Sequence, residues 1–202
     1  MVCGEMKFTW LCFALIVLPN LGGWIGGIAV SRNRDWYNKL NQPAIAPPGW
    51  VYGPVWTILY CLMGFASYLV WEERKSLLGR QRASVPPESQ EPESHELQSN
   101  NEAKTKRQNS GIGLVDFIRR KSWIPLTIYF LQLLLNWIWT WIFFEAKILL
   151  LALVEICLLD VAVAGCLVCF GIVRLTAGAL LVPYMAWLIL ATYLNFYAHN
   201  NN

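Results

Sequence analysis

Two carboxylates stand inside apolar runs, Glu155 and Asp160, both within about 148–170. A charge at bilayer depth is costly. Such an acid is either a functional group or a neutralised, hydrogen-bonded residue that closes helix packing. The two are five residues apart, do not share a helical face and make a poor catalytic pair. The histidines, His95 and His199, fall in a polar segment and at the edge of the last apolar run. Neither sits at membrane depth. This argues against axial haem ligation and leaves open the binding of a porphyrin by stacking alone. Cys166 and Cys169 form a CxxC with no second CxxC and no partnering histidine, so they are read as small apolar packing groups. No Ser-His-Asp set, phosphate loop or zinc motif is present, and neither a metal nor a cofactor is expected. The chemistry that remains is aromatic. There are eleven Trp, whose rings either anchor helices at the membrane interface or wall a planar ligand. Asn136, within NWIWTWIFF, either ties helices together or hydrogen-bonds a ligand.

The elements that carry these groups are apolar runs of spanning length. Hydrophobic residues make up 56% of the 202 and charged residues 14%, against about 45–50% and 25% in soluble domains. About 20 apolar residues cross the hydrocarbon core. We therefore expect an all-α membrane protein, a five-transmembrane-helix bundle forming a single domain, with spans at about 8–30, 50–71, 123–144, 148–170 and 176–198. The first run has few positive charges before it and no clear small-residue cleavage site, so it is read as a retained helix. The small net charge of +3 gives no indication of nucleic acid.

Local patterns refine this layout. Gly22, Gly23, Gly26 and Gly27 put small residues in a register that admits a close neighbour. The first loop, SRNRDWYNKLNQPAIAPPG, is stiffened by three prolines and is expected to act as a lid on one end of the bundle. Trp56 and Tyr60, four apart, share a face with Gly64, where a partner or ligand is expected to come close. Residues 72–122 are polar, with alternating charge, and read as a disordered or loosely helical insertion. Within it LVDFIRRK, residues 114–121, reads as a short amphipathic turn. The side bearing the N-terminus and the second and fourth loops carries 12 of the 16 Lys and Arg, which by charge bias makes that side cytosolic.

The stretch LNQPAIAPPGWVYGPVWTILYCLMGFASYLVW resembles the signature of the translocator protein family, also called tryptophan-rich sensory protein or peripheral-type benzodiazepine receptor. PNLGGWIGG, QLLLNWIWTWIFF and PYMAWLILATYLNF extend the resemblance over nearly the whole chain except 72–122. It implies a five-helix bundle, often a homodimer, with a pocket beneath the first loop for porphyrins, cholesterol and synthetic aromatic ligands. The residues matching family pocket positions are Tyr37, Pro47, Trp50, Trp56, Tyr60, Asn136, Trp139, Phe143, Trp187 and Ala191. Some bacterial members are reported to degrade protoporphyrin in light, and the tryptophans implicated there match Trp56 and Trp187. These are the two candidate catalytic residues. In animals the family implies the mitochondrial outer membrane, with the C-terminus towards the cytosol, opposite to the charge bias.

This chain departs from the animal pattern in places. Phe196 stands where the cholesterol motif has Tyr, and no basic residue follows it. Leu151 matches a pocket Trp, and Thr140 and Trp141 match paired prolines. These changes bear on sterol and drug binding more than on porphyrin. Three functions are therefore expected in order: a receptor or carrier for porphyrin or sterol-like molecules in the lipid bilayer, a protoporphyrin-consuming enzyme, and a scaffold acting through the second loop.

Overall fold

Helix formation here follows from the solvent. An apolar chain in hydrocarbon must satisfy every backbone N–H and C=O within itself, and a helix does so locally. The computed structural model describes residues 10–83, 113, 117–118 and 123–202. Its elements are α1 (Trp10–Arg32), α2 (Arg34–Tyr37), α3 (Gly49–Ala83), α4 (Trp123–Thr140), a π-helical turn (Trp141–Ala146), α5 (Leu149–Val173), α6 (Leu175–Ala179) and α7 (Val182–Asn201). Among the described residues there is no strand. Also among the described residues, five stretches are long and apolar enough to cross a membrane, the third including the π-turn and the fifth running Leu175–Asn201. The chain is a multi-pass membrane protein with five spanning helices.

α1 packs along α3, α4 along α5, and α5 along α7, with α1 also touching α4. The core between them holds Tyr129, Tyr184, Phe170 and Met63, all fully buried. α1 and α3 come close at Gly64, where a Cβ would strike the Leu15 carbonyl and the Ile16 backbone. Pro19 lies inside α1 and has no N–H for the carbonyl four residues back, which is that of Leu15. Gly64 thus meets the carbonyl that Pro19 leaves without its helical bond. The expectation that Gly64 admits a partner holds, and the partner is α1 rather than a ligand. Three of the four span-one glycines take side chains instead of a helix, and Gly27 meets open space. Gly22 lies under the Trp137 indole, Gly23 under the Tyr60 ring and Gly26 against Thr140.

Two boundaries differ from the sequence reading. α3 runs on to Ala83, twelve residues beyond the expected end at Trp71. At 1.5 Å per residue its 35 residues reach about 52 Å, well past a core of about 30 Å. Charge ends the apolar run but not the helix. Glu, Arg, Lys and Leu are good helix formers, Lys75 pairs with Glu72 at 3.0 Å, and the Arg74 guanidinium lies 5.3 Å over the Trp71 ring. Beyond Ala83, the remaining expectations for 72–122 lie mostly outside the described residues. The fifth span is also broken, because α6 is a separate short helix and Pro183 opens α7. α6 folds tightly onto the end of α5, where a Cβ on Gly178 would lie 2.8 Å from Gly171 Cα.

Candidate functional site

Regular spacing places the site. On α3, Tyr52, Trp56 and Tyr60 follow one another every four residues and so share a face. On α4 and the π-turn, Asn136, Trp139, Thr140 and Phe143 do the same, as do Trp187, Ala191 and Asn195 on α7. These three faces, the glycine face of α1 and the first loop enclose one cavity of about 850 Å³. Loop residues Tyr37, Leu40, Gln42 and Pro43 are among its lining, so the first loop roofs this end of the bundle.

Two features fix that roof. Asn41 donates from its backbone N–H to Asn202 Oδ1 at 2.8 Å and from Nδ2 to the Asn201 carbonyl at 2.8 Å, tying the loop to the end of α7. The hydroxyls of Tyr37 and Tyr52 share a hydrogen bond at 3.1 Å. Burial pushes the Tyr37 phenol above its ordinary pKa, opposed by that hydrogen bond. Beside the roof, the π-turn ends on Lys147 at φ 57°, in the left-handed region. Its ammonium lies 5.4 Å over the Trp36 ring. The same turn presents Phe143, stacked on Trp139 with centroids 5.2 Å apart, and packs Phe144 edge-on to Trp139.

Below the cavity runs a buried polar chain. Tyr60 donates to Asn136 Oδ1 at 2.7 Å, Asn136 Nδ2 donates to Tyr184 Oη at 3.0 Å, and Tyr184 donates to Gln132 Oε1 at 3.1 Å. It joins α3, α4 and α7. The Trp139 indole donates to Asn195 Oδ1 at 3.2 Å, a second α4–α7 tie. The rings above are in mutual contact. Trp56 stacks on Tyr60 at 5.4 Å, and Tyr52 meets Trp187 edge-on at 5.8 Å. The indole N–H of Trp187 is buried without a partner among the described residues.

Nine of the ten expected site residues line this cavity: Tyr37, Trp50, Trp56, Tyr60, Asn136, Trp139, Phe143, Trp187 and Ala191. Trp50 is at the rim, 74% exposed. Pro47 is not in the lining; it follows the turn that the Ala46 N–H closes on the Pro43 carbonyl at 2.9 Å. Asn20, Arg34, Tyr52 and Asn195 also line it and were not singled out from the sequence, and Thr140, noted there only as a departure from the animal pattern, lines it too. Extending each aromatic stripe by one turn reaches Tyr52 and Asn195, so their signal was present. Leu151 is exposed and away from the cavity. The intramembrane acids are elsewhere too. Asp160 accepts from Thr192 Oγ1 at 2.7 Å, an α5–α7 tie. Glu155 is buried with both oxygens unpartnered among the described residues, for which we have no physical account.

A five-span helical bundle with a roofed aromatic cavity at one end defines a multi-pass membrane protein with an enclosed space between its helices. The comparisons name the class more closely. The TspO/MBR family profile matches residues 15–200. The chain is 35% identical to the translocator protein of Homo sapiens over 185 residues, covering 91% of this chain and 85% of the relative. It is 28% identical to the tryptophan-rich sensory protein of Cereibacter sphaeroides over 197 residues, covering 98% and 95%. It is also 28% identical to the tryptophan-rich protein TspO of Archaeoglobus fulgidus over 175 residues, covering 86% and 85%. The chain belongs to the TspO/MBR family.

Proposed function

We propose that the protein is a membrane receptor or carrier that binds a porphyrin, and secondarily a sterol-like or aromatic molecule, in the cavity beneath the first loop. The observation that carries this reading is the cavity itself. At about 850 Å³ it falls within the roughly 300–1,000 Å³ that holds drug-sized ligands. Its walls offer the faces and edges of Trp56, Tyr60, Trp139, Phe143 and Trp187, and a flat conjugated ring gains most from such surfaces. The family membership supports the same reading, and the mitochondrial outer membrane is proposed as its location.

The test is a titration of the detergent-solubilised protein with protoporphyrin IX in the dark. Saturable quenching of tryptophan fluorescence, weakened in Trp139→Ala, is expected. A folded protein that shows no saturable quenching overturns the proposal. A photochemical reading is favoured by one observation, the placement of Trp56 and Trp187 on the same cavity. It requires protein-dependent loss of the porphyrin spectrum under illumination, abolished in Trp56→Phe while dark binding is kept.

A further inference from the structure

Among the side chains that line the cavity, one carries a charge. Arg34, the first residue of α2, stands at the roofed rim, and every other lining residue is neutral. It is exposed. Among the described residues the one ion pair is Lys75–Glu72, far along α3, and no hydrogen bond of the Arg34 guanidinium is formed. The nearest acids in sequence and fold are otherwise placed. Asp35 is exposed and outside the lining, and Glu145 accepts from Asn33 Nδ2 at 3.0 Å. The neighbouring cation Lys147 is engaged with the Trp36 ring. An unengaged guanidinium at the mouth of an otherwise uncharged, aromatic-rich cavity is a selectivity element. Its five N–H donors match a carboxylate in two-pronged geometry, and the apolar walls take whatever scaffold bears that carboxylate.

Resting on the receptor reading above, we infer that Arg34 sets the ligand class of this cavity to lipophilic carboxylic acids, the carboxylate held at the rim by the guanidinium and the ring system inserted between α3, α4 and α7. A neutral molecule of the same shape fills the cavity without that contact. The half-open rim favours the interaction over a fully solvated pair, because the walls displace water from one side of it.

The experiment compares protoporphyrin IX with its dimethyl ester, which keeps the ring and removes both charges. Each is titrated into the full-length protein in neutral detergent, with tryptophan quenching as the readout. The wild type should bind the diacid about tenfold more tightly than the ester, the size of one charge-assisted hydrogen bond. In Arg34→Gln the diacid should weaken to within about twofold of the ester, while ester affinity stays unchanged and so reports that the variant is folded. Arg34→Lys should keep part of the preference. Added salt should weaken the diacid alone. An acid-to-ester ratio that is the same in wild type and Arg34→Gln overturns the inference and leaves the receptor reading standing. That is also the outcome if Arg34 serves only lipid phosphates. A parallel loss of both ligands in Arg34→Gln overturns it as well, since the residue would then only hold the roof. Absence of binding by either porphyrin to the wild type removes the receptor reading and this inference with it.

Discussion

Replacing Asn136 by Leu tests whether the bundle is pinned below the cavity. The substitution removes two interhelical hydrogen bonds, from Tyr60 at 2.7 Å and to Tyr184 at 3.0 Å. Interhelical bonds in membranes average about 0.6 kcal/mol, so the direct loss is about 1 kcal/mol. The larger cost comes from what is stranded. Tyr184 keeps its bond to Gln132 at 3.1 Å. The Tyr60 hydroxyl, on a residue only 7% exposed, is left with no acceptor, which adds about 1–3 kcal/mol. Asn136→Leu should therefore cost about 2–4 kcal/mol. Tyr60→Phe alone removes one bond and strands the Asn136 carbonyl, for about 1–2 kcal/mol. Combined, the two substitutions leave neither group stranded. Adding Tyr60→Phe to Asn136→Leu should then cost about 1 kcal/mol less than it does in the wild type. The assay is reversible unfolding in mixed micelles with increasing dodecyl sulfate, followed by circular dichroism. Additivity within about 0.5 kcal/mol would refute the argument, because it would mean that the two side chains do not act on each other.

Three further outcomes are expected. Gly64→Val drives a branched side chain into the Leu15 carbonyl and should destabilise by at least about 1–3 kcal/mol in the same assay, whereas Gly53→Ala, which meets open space, should change little. Lys147→Val should lose about 1 kcal/mol or more, because a β-branched residue strongly resists the left-handed φ of 57°, and Lys147→Gly should cost less than Lys147→Val; equal effects would show that the Trp36 contact alone matters. Asn41→Ala removes the side-chain tie to the Asn201 carbonyl and should speed dissociation of a bound porphyrin several-fold in stopped-flow quenching, with little change in melting temperature.

The spans were legible because hydrocarbon imposes a length and a composition that nothing else in the chain imitates. The cavity face was legible in part, since Trp56 and Tyr60, four apart on α3, declare a shared side. What periodicity could not give is which glycine receives what. Gly22 and Gly23 look like a helix seam and instead receive the Trp137 and Tyr60 rings, while the true seam is at Gly64. Only three-dimensional placement of Pro19 and its freed carbonyl separates the two cases. α3 outruns the expected span because a switch from apolar to charged residues marks the membrane surface, not the end of a helix. Tyr184, at the centre of the polar chain, gave no signal, because a tyrosine in an apolar span reads as an interface anchor until its hydrogen-bond partners are located. Arg34 read as one of several loop charges until the cavity was closed around it.

The positions of the ties explain why there is a cavity at all. Helices free to pack on side chains alone would close on one another, and the α1–α3 contact at Gly64 shows how near they come where nothing intervenes. The Tyr60–Asn136–Tyr184–Gln132 chain holds α3, α4 and α7 together below the cavity, and the Asn41 bonds hold the roof above it. Between these two levels the walls are rigid aromatic rings braced on one another, Trp56 on Tyr60 and Trp139 on Phe143, which cannot fold down into the space as flexible aliphatic chains would. Thr140 adds to the opening by facing Gly26 rather than a bulkier residue. A space kept open by ties at both ends needs no ligand to hold its shape, so ligand entry through the rim at Arg34 and Trp50 should not require reorganisation of the polar chain beneath.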